Sequence, residues 1–85
     1  RVVLLRLSQV PVDYLKIDGR FVQDITEDRF DLAIVQAIQQ VAQVLGIKTI
    51  AESVETEAIL ERLLAIGVDY AQGYAIARPA PLAGP

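Results

Sequence analysis

The chain has 85 residues, a net charge of −3, 53% hydrophobic residues and only 6% aromatic ones, which suits one small α/β unit with an aliphatic core. With no basic field it is a poor match for a nucleic-acid polymer, and with no Cys and no His it has neither a disulfide framework nor the commonest transition-metal ligands. Any metal it helps to hold must be a hard cation bound through oxygen.

Residues 2–8 are apolar at spacings that suit helix and strand alike, and Pro11 disfavours helix at Val10, so this stretch is read as the end of a helix. The chain opens at Arg1 without Met or a leader, which suggests a piece of something longer. Residues 12–17 combine β-branched and aromatic residues between Pro11 and Gly19 and predict a short strand.

Residues 27–45 change to helical periodicity, with Ile34, Ala37, Ile38, Val41 and Leu45 as the expected buried stripe and Gln39, Gln40 and Gln43 mostly off it. Those glutamines, with Gln36, also break the longest apolar run well before the roughly 20 residues that span a bilayer. The segment is therefore read as soluble and cytoplasmic, without excluding an anchor elsewhere in a parent protein.

Gly46 is the expected helix stop, and residues 47–51 predict a second strand. Thr56 can cap a helix burying Ile59, Leu60, Leu63 and Leu64 and ending at Gly67. Residues 68–71 predict a third strand, with 79–85 as a Pro-rich exit.

Strands alternating with helical crossovers become parallel neighbours. The echo of Val12-Asp13-Tyr14 in Val68-Asp69-Tyr70 strengthens the impression of repeated units. The predicted fold is α/β, a partial TIM-like (β/α) barrel with about three parallel strands. Three strands cannot close a barrel, so an open edge and an uncovered interior face are expected.

Active sites of parallel α/β sheets form at the C-terminal strand ends, which points to Lys16 with Asp18, Glu52 with Glu55, and Gln72. Each pair has a plain alternative. Lys16 and Asp18 could form a solvated strand end, Glu52 and Glu55 could favour the start of the next helix, and Gln72-Gly73 could be a turn. Their coincidence on one rim favours chemistry. A carboxylate beside an ammonium group suits metal-assisted phosphodiester hydrolysis, although a strand-end lysine also suits Schiff-base chemistry.

Residues 7–22, Leu-x-x-Val-Pro-Val-Asp-Tyr-Leu-Lys-Ile-Asp-Gly-Arg-Phe-Val, resemble the late-barrel segment of EAL domains. So do Thr49-Ile50-Ala51-Glu52-Ser53-Val54-Glu55-Thr56 and Gly67-Val68-Asp69-Tyr70-Ala71-Gln72-Gly73-Tyr74, with Pro79 and Pro81 beyond. The resemblance identifies residues 1–85 as the C-terminal part of such a domain. It implies a TIM-like barrel with one reversed strand that hydrolyses cyclic-di-GMP to pGpG with two Mg²⁺ or Mn²⁺ ions, in bacterial second-messenger signalling.

By the same resemblance, Lys16 orients the attacking water, Glu52 is a metal ligand and general base, and Gln72 hydrogen-bonds within that network. Asp18 and Glu55 take supporting roles. The EAL signature glutamate and the paired aspartates of the family are not in this sequence, so the isolated chain is expected to be inactive and to bind no metal stably. The expected partners are cyclic-di-GMP in the complete domain and a second copy or the remainder of the barrel. One departure is Ser53, where the family usually has Gly. It leaves open an alternative, a degenerate domain that serves as a cyclic-di-GMP receptor or protein-interaction module.

Overall fold

The computed structural model describes residues 14–73 and 76–82, so the expected helix end at 2–8 and the start of the first strand lie outside the described residues. The elements run β1 (Tyr14–Ile17), α1 (Gly19–Val22), α2 (Arg29–Leu45), β2 (Lys48–Val54), α3 (Glu57–Ile66), β3 (Tyr70–Gly73) and β4 (Ile76–Pro81). They form one sheet in the order β1-β2-β3-β4, with β1–β2 and β2–β3 parallel and β3–β4 antiparallel.

The three parallel strands match expectation. Strand β4 does not, because the exit from Ile76 to Pro81 folds back along β3. Proline cannot donate to a ladder, and Pro79 and Pro81 are tolerated because β4 is the outermost strand of the described sheet.

Short-range signals set the helix ends. The Asp28 carboxylate accepts from the backbone N–H groups of Phe30 and Asp31 at 2.8 and 3.2 Å and caps α2, so the helix begins at Arg29, two residues later than predicted. Thr56 caps α3 by accepting from Ile59 N at 3.1 Å. Both helices stop at a glycine in the left-handed region, Gly46 at φ 71° and Gly67 at φ 101°. The short helix α1 carries too few residues for a periodic signal and was not foreseen. Asp18 starts it by accepting from Arg20 N.

Helices cover one sheet face. Leu15, Ile17, Ala51, Val54 and Ala71 from the strands are buried in one cluster with Val22, Ile25, Val35, Ile38, Ile59 and Leu63. Alternation along the strands sends Tyr14, Lys16, Ile50, Tyr70 and Gln72 to the opposite face, where the rings of Tyr14 and Tyr70 meet edge-on at 5.6 Å.

The buried stripe of α2 is rotated from its predicted position. Val35, Ile38, Gln39 and Ala42 are buried, whereas Ala37 is exposed and Val41 and Leu45 are each 46% exposed. Gln39 and Gln43 face Gly67 at the end of α3. Val41 lies two residues, about 200° of helix, from either glutamine, so it looks away from α3. On α3, Ile59 and Leu63 are buried and Leu60 is half-buried, but Leu64 is exposed. Hydropathy alone ranks these leucines together, whereas a helix seated on a sheet buries only a narrow strip.

Candidate functional site

Strand β1 pairs Lys16 with Ile50, and β2 pairs Ile50 with Tyr70. Glu52 lies two residues beyond Ile50, and Gln72 two beyond Tyr70. The three predicted residues therefore come from adjacent strands at their C-terminal ends, with Glu52 and Gln72 about one pleat repeat, or 6.6 Å, further along than Lys16. Lys16 and Gln72 lie on the helix-free face, and strand alternation assigns Glu52 to it as well. Lys16 is exposed, and Glu52 and Gln72 are half-buried.

Among the described residues neither Lys16 nor Glu52 is drawn into an ion pair, so both side chains remain available to a ligand. Gln72 already makes an interaction in this structure. Glu55 is exposed just past the end of β2 and precedes the cap of α3. Asp18 follows β1 and is committed locally. Its carboxylate accepts from Arg20 N at 2.8 Å and from the Arg20 guanidinium at 3.3 and 3.5 Å. The backbone N–H first and the guanidinium second hold Asp18 well below the usual carboxylate range.

The Gln72-Gly73 pair is not a turn. Gly73 belongs to β3 and pairs with Val54. A Cβ at Gly73 would stand 2.6 Å from the Val54 carbonyl carbon, so the requirement there is space and not a special φ. Strand β2 continues through Glu52 and Ser53 to Val54, three residues past its predicted end. Its register to β3 shifts between Ala51 and Val54, and within that bulge Ser53 adopts φ 60°. The position where the family usually has Gly thus takes a left-handed backbone in this chain although it carries Ser.

One polar constellation was missed. At the opposite end of the sheet, Thr49 donates its hydroxyl proton to Gln39 Oε1 at 2.6 Å and accepts from Asp69 N at 3.1 Å. Asp69 Oδ2 accepts from Thr49 N at 3.0 Å, and Gln39 Nε2 donates to the Gly67 carbonyl at 2.7 Å. Gln39 is buried here, against its predicted place off the stripe, because both ends of its amide are bonded. The repeated Val-Asp-Tyr was the available clue to Asp69; its counterpart Asp13 lies outside the described residues. A groove of about 400 Å³ between α2 and α3 also lies at this end, lined by Gln36, Gln40, Gln43 and Ile66.

As a metal donor, Glu52 offers a half-buried hard oxygen of the kind Mg²⁺ and Mn²⁺ take. Among the described residues no three Asp or Glu side chains gather into a ligand set. A metal held by Glu52 would need its other ligands from outside these residues. No helix among the described residues is long and apolar enough to cross a membrane.

The family model for the EAL domain matches residues 3–79. The chain is 56% identical over 77 residues to the cyclic di-GMP phosphodiesterase PdeB of Shewanella oneidensis, covering 91% of this chain and 9% of that protein. It is 44% identical over 77 residues to the cyclic di-GMP phosphodiesterase PdeF of Escherichia coli, covering 91% and 10%. Among solved structures, the PaMucR phosphodiesterase in complex with c-di-GMP superposes with TM-score 0.75 at 42% identity, over 85% of this chain and 29% of that one. The EAL domain of Mycobacterium smegmatis DcpA gives TM-score 0.75 at 39% identity, over 89% and 34%. The chain thus spans about a tenth of the length of these curated relatives and about a third of a solved EAL domain.

Proposed function

The chain belongs to the EAL domain family, and from that premise we propose that it supplies the Lys16, Glu52 and Gln72 rim of a metal-dependent phosphodiesterase that hydrolyses cyclic-di-GMP to pGpG. One observation carries the reading: three polar residues of the required types close three adjacent strands of a parallel ladder. Relatives named as cyclic di-GMP phosphodiesterases support the substrate.

Hydrolysis of a phosphodiester needs a proton acceptor for the attacking water and positive charge near the phosphoryl oxygens. When bound, Mg²⁺ or Mn²⁺ supplies Lewis acidity and lowers the pKa of water. Glu52 would hold that metal and can take a proton from the attacking water. Lys16 orients that water and offsets charge that builds on phosphate, and Gln72 fixes the water by hydrogen bonding. Asp18, bonded to the start of α1, steadies the end of β1, and Glu55 assists from beyond β2.

The other metal ligands and most of the cyclic-di-GMP site would come from the rest of the barrel, so these 85 residues alone turn over nothing. The same incompleteness extends to the surface. Phe30 and Val44, 69% and 87% exposed on α2, suit contact with the remainder of the domain or a second copy. The reading also places the chain in the cytoplasm, where the nucleotide is.

The test is turnover by the complete domain. Glu52→Gln is expected to lower kcat by about 10²–10⁴-fold with folding intact. Unchanged pGpG production would refute the assignment. Cyclic-di-GMP binding by the unmodified domain without turnover would show a receptor instead.

A further inference from the structure

Glu52 sits on a bulged strand end, and the structure shows what holds that end. Ser53 is the one non-glycine residue with positive φ among those described, and it lies inside the register shift between Ala51 and Val54. On the β1 side, Gly19 is buried against it. A Cβ on Gly19 would stand 2.6 Å from Ser53 Cβ and would overlap its hydroxyl oxygen. On the β3 side, Gly73 packs against the Val54 backbone. Neither Gly19 nor Gly73 has a positive φ, so both are glycine for reasons of space.

We infer that Gly19 and Ser53 are a size-matched pair, and that this contact positions the Glu52 carboxylate relative to Lys16 on the neighbouring strand. The side chain at 53 fills the volume that position 19 leaves empty. Because Gly19 follows Asp18 at the start of α1, a push at this contact reaches both strand ends at once. Ser53 acts through Glu52 and is a positioning residue, and this role rests on the proposed phosphodiesterase reading. The size match itself does not.

The pair makes a sharp forecast. In the complete domain, Gly19→Ala forces two side chains into one volume, lowers the thermal unfolding midpoint and weakens calorimetric Mn²⁺ binding by about 10–100-fold, the scale of effect that disturbing a group that orients a metal ligand produces. Ser53→Gly alone, which removes the contact without forcing an overlap, spares the midpoint and weakens Mn²⁺ binding less than Gly19→Ala does. The double variant Gly19→Ala with Ser53→Gly recovers the midpoint and Mn²⁺ binding, because the added methyl group now has room. Equal defects in the single Gly19→Ala and the double variant would overturn the pairing, as would a harmless Gly19→Ala. If Gly19→Ala does not fold, the double variant must fold for the pairing to stand. A parent domain that binds no Mn²⁺ sinks the functional reading and the positioning role with it, while the unfolding midpoints still decide the size match.

Discussion

The two ends of this sheet are built on opposite rules. At the N-terminal end, Thr49, Asp69 and Gln39 satisfy one another and the Gly67 carbonyl, and none of these three side-chain partners has a positive φ. At the C-terminal end, Lys16 and Glu52 have no ion-pair partner among the described residues, and the strand that carries Glu52 is bulged and holds a serine in the left-handed region. A closed polar network lowers the energy of one fold. An open rim keeps its polar groups for a ligand, and strain of this kind persists only where neighbours enforce it. On the proposed function, the difference separates a stabilising end from a reacting end within four strands, as in barrels whose chemistry is confined to one face.

The contrast breaks most visibly if the rim is disabled while the network is spared. Lys16→Ala in the complete domain is expected to reduce turnover by about 10²-fold or more while leaving the unfolding midpoint within experimental scatter, because the side chain is exposed and has no ion pair or hydrogen bond among the described residues. A large loss of stability with turnover retained would reverse the two roles.

The complementary change is Thr49→Val, close in shape but without the hydroxyl. It strands Gln39 Oε1 and the Asp69 N–H in a buried site, and about 1–3 kcal/mol of stability should be lost in denaturant titration. Turnover measured well below the new midpoint should be unaffected. A Thr49→Val domain as stable as its parent would show that water replaces the network.

A smaller effect is expected at Asp18, on the reacting side. Its folded pKa lies below the unfolded value of about 3.9, so its contribution is fully present above that value and is lost as pH falls through the folded pKa. The stability gap between the parent domain and Asp18→Asn should therefore be constant from neutral pH down to about 4 and shrink below it. A gap that widens on acidification would contradict the assigned cause, the bonds from Arg20.

Much of the chain was legible because its signals are short-range. Gly46 and Gly67 stop helices where a left-handed residue is needed, and Thr56 caps α3, as read. Lys16, Glu52 and Gln72 were picked out because polar residues closed apolar strand bodies. What escaped was long-range. The Gln39 amide is buried because of partners 10 and 28 residues away, which hydropathy cannot register. The expected second strand stopped at Ala51, yet pairing with β3 carries it through Glu52 and Ser53 to Val54. The Pro-rich exit carried no strand reading, and only an edge position next to β3 makes Pro79 and Pro81 compatible with a strand.

By itself the sequence determined the alternation of strands and helices, the helix stops at Gly46 and Gly67, the Thr56 cap, the family and the residue types at the rim, because these depend on a few neighbours along the chain. Tertiary structure decided which stripe of α2 is buried, that Thr49, Asp69 and Gln39 close one end, and that Ser53 takes a left-handed backbone against Gly19. Those outcomes depend on volume and hydrogen-bond partners contributed by segments ten to thirty-odd residues apart, and they exist only once the strands are in register.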